Sequence, residues 1–257
     1  MTEQIDLNYL LELVKEAGRA IMEVYSQTFE VIQKSDDSPL TLADTRSNQI
    51  LVAGLIQKYP HIPVISEETK LTGYSDRKNW ETYWLIDPLD GTKEFVKRNG
   101  EFTINLALIS HQTPVTGIVY VPAQELTYYA IKGKGSFKLE KGKPPVKLKS
   151  SPAELGKPVL TFASRSHRNQ ATDDFIQGLV KKYGEVTVIG AGSALKFCFV
   201  AEGKAHFYPR FSPCMEWDTA AGHIVATESG ATVVQPDGSP LIYNKENLLS
   251  PSFIVSA

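Results

Sequence analysis

Two aspartates lie three residues apart in the segment WLIDPLDGTKEF, where an apolar stretch gives way to proline and glycine. The negative charges of Asp87 and Asp90 repel each other at this spacing unless a cation lies between them. Mg²⁺ prefers oxygen ligands and usually keeps water and phosphate oxygens among them. Gly91 allows close backbone approach, and Thr92 offers an N–H group and a hydroxyl to an anion. The segment therefore predicts a magnesium site that binds phosphate, although either aspartate alone is more often a turn residue.

Two further carboxylates occur where they could join this site. Glu67 follows the apolar stretch PVIS, and Asp218 stands at the start of a small-residue helix in MEWDTAAGH. Each also has an ordinary interpretation, Glu67 as a solvated loop residue and Asp218 as a helix N-cap. Taken together with Asp87 and Asp90, they predict one oxygen-rich site.

The elements that must position these residues follow from hydrophobic periodicity. Apolar residues at helical spacing predict a helix within the first 25 or so residues, and Thr41 with Asp44 predicts a capping box at the start of a second helix. The period then changes to two, which predicts strands. These strands lie at 63–66, 82–86, 102–109, 115–121, 126–131 and 135–139. Several of them are expected to form an antiparallel meander, so the first half is an α+β unit.

A segment rich in lysine and proline, residues 140–158, is the candidate domain junction. Beyond it strands and helices alternate, which predicts an α/β unit. The predicted strands are 159–164, 186–190, 205–209, 231–234, 240–243 and 253–257, and the predicted helices are 170–183, 193–202 and 218–229. The expected fold class is thus α/β, with an α+β N-terminal domain at 1–150 and an α/β C-terminal domain at 151–257.

Composition excludes several other classes of protein. The 27 basic and 29 acidic residues give a formal net charge of −2, so no global field would attract nucleic acid or an anionic membrane. Cys198 and Cys214 are too few for a disulfide framework, and neither has zinc-site spacing. The acidic N-terminus does not resemble a signal peptide, and no apolar stretch is long enough to cross a membrane. GAGSAL lacks the third glycine of a dinucleotide fingerprint. We expect a soluble cytoplasmic protein, with loose membrane attachment left open.

Several motifs, in this order and spacing, resemble a known family. SEE, DPLDGTKEF and WDTAAG, at 66–68, 87–95 and 217–222, are similar to those of the inositol monophosphatase-like family of Mg²⁺-dependent, lithium-sensitive phosphatases. Four further motifs resemble those of one branch of this family, the bacterial 3′(2′),5′-bisphosphate nucleotidases. They are SDDSPLTLAD at 35–44, SRSH at 164–167, GSALKF at 192–197 and YPR at 208–210.

The resemblance implies a layered αβαβα fold and a role for each matching residue. Two or three Mg²⁺ ions would be held by Glu67, Asp87, the backbone carbonyl of Leu89, Asp90 and Asp218. The scissile phosphate would lie beside Glu67, Asp90, Gly91, Thr92, Lys93 and Asp218. Asp44 and Thr92 would orient and deprotonate the attacking water. The 5′-phosphate and the nucleotide would be held by Ser193, Lys196 and Arg210, with Ser164, Arg165 and His167.

The activity implied is hydrolysis of the 3′-phosphate of adenosine 3′,5′-bisphosphate, or of its phosphosulfate relative, by a monomer or homodimer. An inositol or sugar phosphate phosphatase is the alternative within the same family. A non-catalytic protein that binds a divalent ion or a nucleotide is a second alternative, which the water-activating pair of Asp44 and Thr92 disfavours. Glu216, an acidic residue two positions before Asp218, has no assigned role. Without the family pattern, Lys196 and Arg210 are equally well interpreted as solvated charges.

Overall fold

Two β-sheets separated and flanked by helices build the protein, whose computed structural model describes residues 5–28, 31–33, 39–163 and 169–257. The predicted substrate residues Ser164, Arg165 and His167 lie outside the described residues. The helices are α1 (Leu7–Tyr25), α2 (Leu42–Lys58), α3 (Tyr74–Arg77), α4 (Thr92–Val96), α5 (Gln170–Tyr183), α6 (Leu195–Ala201) and α7 (Glu216–Thr227), with a 3-10 turn at Pro122–Gln124.

The strands of the first half belong to a small hairpin and a seven-stranded sheet. The hairpin pairs β1 (Val31–Gln33) with β2 (Pro39–Thr41). The seven-stranded sheet contains, in spatial order, β3 (Val64–Ser66), β4 (Thr82–Asp90), β5 (Thr103–Ser110), β6 (Thr113–Val121), β7 (Leu126–Ile131), β8 (Gly135–Glu140) and β9 (Val146–Lys147). β3 is parallel to β4, and every later pair in this sheet is antiparallel. The predicted antiparallel meander is therefore confirmed.

The strands of the second half form a mixed sheet and a short pair. The mixed sheet has the order β11 (Val186–Gly190), β10 (Val159–Ala163), β12 (Phe207–Arg210), β16 (Phe253–Ser256) and β14 (Thr232–Val234). β10 is parallel to both of its neighbours, whereas β16 is antiparallel to β12 and to β14. The short pair consists of β13 (Cys214–Met215) and β15 (Leu249–Ser250).

The predicted strand at 240–243 is wrong. Only Pro240 forms a β-bridge, with Val234, and the rest of the segment is irregular. The backbone N–H groups here pair elsewhere, since Tyr243 N donates to the carbonyl of Gln112 and Asn244 N donates to the carboxylate of Glu216. Proline has no N–H to continue a ladder, so an apolar stretch after Pro240 packs as a loop.

The helices divide the two sheets into five layers. Helices α1 and α2 pack on one face of the seven-stranded sheet, and α7 packs on its other face against β5 and β6. Helix α6 packs between α7 and the mixed sheet, and α5 covers the outer side of that sheet. The αβαβα layering is thus confirmed.

The buried residues form two clusters, one on each face of the seven-stranded sheet. The cluster on the α7 face joins residues of both halves of the chain, such as Leu85 with Phe197 and Trp217. The division into domains at 1–150 and 151–257 therefore stays a prediction. Among the described residues, no helix is both long enough and apolar enough to span a membrane.

Candidate active site

A β-bulge in β4 places the two aspartates of the DPLD segment on the same face of the sheet. Residues three apart in a regular strand point to opposite faces. Here Asp87 pairs with Asn105 and Asp90 pairs with Thr103, so three steps on β4 match two on β5. The extra residue restores the shared face. The expectation that the strand ends before Asp87 is corrected, since β4 continues through Asp90.

Three carboxylates converge at this edge of the seven-stranded sheet. Ligand atoms of Glu67, Asp87 and Asp218 lie within 4.8 Å of one another. Glu67 follows β3, which is parallel to β4, so both strands deliver their carboxylates to the same edge. Asp218 comes from α7, on the layer between the sheets. The structure therefore brings together residues that are up to 151 positions apart in the sequence, the difference between 218 and 67.

Asp218 lies at the third position of α7 and is not its N-cap, which is Met215. Its Oδ2 accepts a hydrogen bond of 3.0 Å from the backbone N–H of Met215. A carboxylate in the first turn is also stabilised by the helix dipole. The interpretation of Asp218 as an N-cap is therefore wrong, although the side chain does satisfy a free N–H group at the start of the helix.

The electrostatics of the cluster are those of a site that needs a cation. Burial, and then the charges of Glu67, Asp90 and Asp218, hold the pKa of Asp87 well above its ordinary value. Burial and the charge of Asp90 raise the pKa of Asp218 to about 8. A divalent ion among these oxygens removes the repulsion. Clustered carboxylate oxygens are the hard donors that Mg²⁺ prefers, so the residues present fit the metal that the resemblance implies.

Asp90 is held from the side by residues of β5 and by the start of α6. Its Oδ2 accepts hydrogen bonds of 3.1 Å from Asn105 Nδ2 and 2.7 Å from the backbone N–H of Ala194, and Thr103 Oγ1 lies 3.4 Å away. The sequence prediction omitted Asn105 and Thr103. A signal existed, because these two polar residues share one face of an otherwise apolar strand.

Asp44 and Thr92 form a hydrogen-bonded pair beside the DPLD segment. The predicted capping box is present, since Asp44 Oδ2 accepts from the backbone N–H and the hydroxyl of Thr41 at 2.8 and 2.6 Å. Asp44 is 1% exposed, and its Oδ1 accepts a hydrogen bond of 3.1 Å from the hydroxyl of Thr92. The same hydroxyl lies 3.4 Å from the carbonyl oxygen of Leu89. One carboxylate oxygen of Asp44 therefore caps α2, and the other accepts the hydrogen bond from Thr92.

Gly91 joins β4 to α4 in a left-handed conformation, with φ of 90°. A Cβ atom here would lie 2.2 Å from Ser193 Oγ, so only glycine fits. The hydroxyl of Ser193 is placed to donate to the carbonyls of Asp90 and Glu101, at 2.9 and 2.7 Å. Lys93, also predicted to lie beside the scissile phosphate, is exposed.

Lys196 and Arg210 are not the solvated charges that their sequence context allowed. Lys196 is 4% exposed, and its Nζ donates to the carbonyls of Ser193 and Ala191 at 2.6 and 3.2 Å. Arg210 is partly buried and donates from Nε and one terminal nitrogen to the carbonyls of Ser212 and Pro213. Burial lowers the pKa of Lys196 to about 8, while Asp90 raises it and Arg210 lowers it. The two cations therefore interact electrostatically with each other and with Asp90.

Glu216 connects the start of α7 to the loop at Asn244 and Lys245. It is fully buried, and its carboxylate accepts from the backbone N–H groups of Asn244 and Lys245 at 2.7 and 3.2 Å and pairs with the ammonium of Lys245. Arg77 closes the other side of the same loop, with hydrogen bonds to Asn244 Oδ1 and to the carbonyl of Lys245. Glu216 thus fixes the start of α7 to this loop and is not a member of the acidic cluster.

Comparison with known proteins identifies the family. A model of the inositol monophosphatase family matches residues 4–255. The chain belongs to the inositol monophosphatase family.

Relatives within this family carry a more specific name. The chain is 45% identical over 253 residues to the 3′(2′),5′-bisphosphate nucleotidase CysQ of Escherichia coli K12, which covers 97% of this chain and 99% of the relative. It is 31% identical to the CysQ of Haemophilus influenzae over 97% of this chain and 91% of the relative.

Solved structures agree with this family. The crystal structure of CysQ from Bacteroides thetaiotaomicron superposes with a TM-score of 0.85 at 42% identity, over 97% of both chains. The IMPase of Thermotoga maritima superposes with a TM-score of 0.77 at 25% identity, over 97% of this chain and 91% of that one.

Proposed function

We propose that this protein is a Mg²⁺-dependent phosphatase that removes the 3′-phosphate of adenosine 3′,5′-bisphosphate and releases AMP and phosphate. Curated relatives that are 45–46% identical over almost the whole chain are named 3′(2′),5′-bisphosphate nucleotidases, which supports this activity. The phosphosulfate relative of this nucleotide carries the same 3′-phosphate and is a second candidate substrate.

The observation that carries the proposal is an acidic cluster with a pair of buried or partly buried cations, Lys196 and Arg210, within electrostatic range of it. Glu67, Asp87 and Asp218 suit a metal-bound scissile phosphate. Lys196 and Arg210 repel each other at partly or fully buried positions, so an anion between them would stabilise both. A substrate with two phosphates satisfies both regions. A monophosphate of inositol or of a sugar leaves this pair of cations without its anion.

We assign two or three Mg²⁺ ions to Glu67, Asp87, the backbone carbonyl of Leu89, Asp90 and Asp218. When bound, the metal lowers the pKa of a coordinated water and neutralises charge on the phosphate. Glu67, Asp90, Gly91, Thr92, Lys93 and Asp218 border the scissile phosphate in this assignment.

Asp44 and Thr92 form the proposed proton-accepting pair. Because the Thr92 hydroxyl donates its proton to Asp44 Oδ1, the lone pairs of its oxygen can accept a hydrogen bond from the attacking water. Proton transfer from water through Thr92 to Asp44 then accompanies attack at phosphorus, with the leaving ribose oxygen on the opposite side. Hydrolysis proceeds in one step, without a covalent enzyme intermediate.

The nucleotide side of the site is assigned to Ser193, Lys196 and Arg210, together with Ser164, Arg165 and His167. In the described part of the chain, Arg210 donates to the backbone carbonyls of Ser212 and Pro213 and also bonds Tyr208, and its remaining N–H groups can donate to a phosphate. In this assignment residues 1–150 supply most metal ligands, and residues 151–257 supply the nucleotide contacts and Asp218. We also propose a cytoplasmic monomer or homodimer that binds no nucleic acid, with loose membrane attachment left to fractionation.

Release of inorganic phosphate tests the activity directly. Purified protein is incubated with adenosine 3′,5′-bisphosphate, its phosphosulfate relative or inositol 1-phosphate, with Mg²⁺ or with EDTA. We expect Mg²⁺-dependent release from the first substrate at far higher kcat/KM than from inositol 1-phosphate. A preference for inositol 1-phosphate would replace the nucleotidase by the inositol phosphatase alternative, and no release from any of the three would favour a non-catalytic binding protein.

A further inference from the structure

The loop at residues 190–194, which starts at the last residue of β11, contacts both Asp90 and Lys196. Its Ala194 N–H holds Asp90 Oδ2 at 2.7 Å, and its Ser193 carbonyl accepts from Lys196 Nζ at 2.6 Å. Ser193 has φ of 52°, a left-handed conformation that L residues seldom adopt. Such a conformation persists only when surrounding groups hold it. The position of Asp90 and that of Lys196 therefore both depend on what fixes this loop.

Glu101, just before β5, makes contacts that fix the loop. Its Oε2 accepts a hydrogen bond of 2.9 Å from the backbone N–H of Gly192. Its carbonyl oxygen accepts one of 2.7 Å from the hydroxyl of Ser193. A Cβ atom on Gly192 would lie 2.6 Å from that same carbonyl oxygen, so the two backbones are in close contact.

Glu101 is itself anchored to the segment that follows the DPLDGT motif. Its backbone N–H donates to Asn99 Oδ1 at 2.9 Å, and the amide of Asn99 donates to the carboxylate of Glu94 in α4. A chain of contacts thus runs from α4 through Glu101 to the loop. The Glu101 carboxylate repels an anion bound at Lys196. The hydrogen bonds of Glu101 to the loop must therefore offset that repulsion.

We propose that Glu101 is a positioning residue that sets the loop at 190–194 and so couples the metal ligand Asp90 to the phosphate-binding Lys196. The inference rests on the proposed function, because it assigns Lys196 to the second phosphate. Glu101 acts through the loop and does not contact the substrate. Its carboxylate oxygen is needed as a hydrogen-bond acceptor for the loop, and this contact, more than the charge that Glu101 presents to Lys196, sets the position of the loop.

Calorimetric binding of AMP in Mg²⁺-free buffer tests the loop without turnover. Losing a hydrogen bond to a charged group lowers the population of the arrangement that it holds by about tenfold or more. Because the apparent affinity scales with that population, we expect Glu101→Ala to raise the Kd for AMP by about tenfold. Glu101→Gln keeps an acceptor oxygen, and we expect it to recover the Kd to within about fivefold of wild type. Glu81→Ala removes an exposed glutamate and should bind AMP as wild type does.

Kinetics on two substrates separate positioning from general damage. For Glu101→Ala we expect a raised KM with adenosine 3′,5′-bisphosphate but not with adenosine 3′-monophosphate, and a lower kcat on both because Asp90 loses the Ala194 N–H. Gly192→Ala disturbs the same contact from the opposite side and should give the same pattern. This second variant keeps the test decisive if Glu101→Ala does not fold, as judged by circular dichroism.

Three results would overturn the inference. Wild-type AMP affinity in both Glu101→Ala and Gly192→Ala would show that the loop needs no such support. A loss in Glu101→Gln equal to that in Glu101→Ala would assign the effect to charge. Wild-type protein that hydrolyses inositol 1-phosphate in preference to the bisphosphate would refute the proposed function and the inference with it, whatever the variants do.

Discussion

Replacing Arg210 by alanine tests whether Lys196 and Arg210 bind a second phosphate. If it does, the contact lies far from the reacting phosphorus and forms equally in the ground state and the transition state, so its loss should raise KM more than it lowers kcat. A hydrogen bond between charged groups contributes about 1.5–3 kcal/mol, which corresponds to about 10- to 150-fold in affinity. Arg210 has terminal N–H groups left after its two backbone contacts, so the loss should reach at least about tenfold in kcat/KM.

The assay compares two substrates on two proteins. Adenosine 3′,5′-bisphosphate should lose at least about tenfold in kcat/KM with Arg210→Ala, whereas adenosine 3′-monophosphate, a poorer substrate, should hardly change. The ratio between substrates cancels any loosening of the Ser212 and Pro213 loop that Arg210 also holds. Arg19→Ala removes an exposed arginine and serves as the matched control. Equal losses on both substrates would show that Arg210 does not contact the second phosphate.

Three further outcomes follow from the acidic cluster. Asp90→Asn should lower kcat by more than about a hundredfold, because the negative charge toward Mg²⁺ is lost. The fold should be retained, because the amide oxygen can still accept hydrogen bonds from Asn105 and Ala194. Near wild-type turnover would contradict the metal assignment. Lithium should inhibit in the presence of Mg²⁺, as the resemblance of the motifs implies. Full activity at high lithium would argue against that metal mechanism. The pKa of Asp218 is raised to about 8, so the folded protein binds a proton that the unfolded chain loses, and the stability of the metal-free fold declines as pH rises from about 4 toward 8. Mg²⁺ should therefore raise the melting temperature more at pH 8 than at pH 5.5. An equal shift at both pH values would argue against binding at Asp218.

The sequence predicted the acidic ligands because each interrupts an apolar pattern in a way that chemistry explains. Glu67 and Asp87 each follow an apolar stretch in one of two neighbouring parallel strands, and the convergence of such residues at one edge follows from sheet geometry. Asp218 needed the motif resemblance as well, because a carboxylate near a helix start is usually a cap. Its true distance from Asp87 depends on how α7 packs between the sheets, which no local pattern specifies.

The contacts that support these ligands could not be predicted in the same way. The loop at 190–194 is about 90 positions later in the chain than Glu101. The two come into contact only when the mixed sheet packs on α6 and α7. Glu216 could not be assigned a role from the sequence, because its partners Asn244 and Lys245 lie in a distant loop. Periodicity specifies which face of an element is buried, whereas these roles depend on which loop lies against that face.

The spacing of Asp87 and Asp90 is explained by the bulge between them. In a regular strand one aspartate would face α2 and the other α7, as the neighbouring Ile86 and Leu85 do. Leu89 instead joins the cluster on the α2 side, which leaves Asp90 on the same side as Asp87. Pro88 supports this break, since it has no N–H for the ladder and its carbonyl accepts from Ser47 of α2.

The bulge also places the site between two helices that begin on opposite faces of the sheet. Asp44 is the third residue of α2 and Asp218 the third of α7, and each bonds back to the N–H of its own N-cap. The positive ends of both helix dipoles therefore point toward the carboxylates and toward any phosphate bound there. Without metal, burial and then the charges of Glu67, Asp90 and Asp218 still hold the pKa of Asp87 above its ordinary value, so the dipoles do not fully stabilise the charged form. The layered fold thus assembles the ligands in advance and leaves a divalent cation to complete their neutralisation.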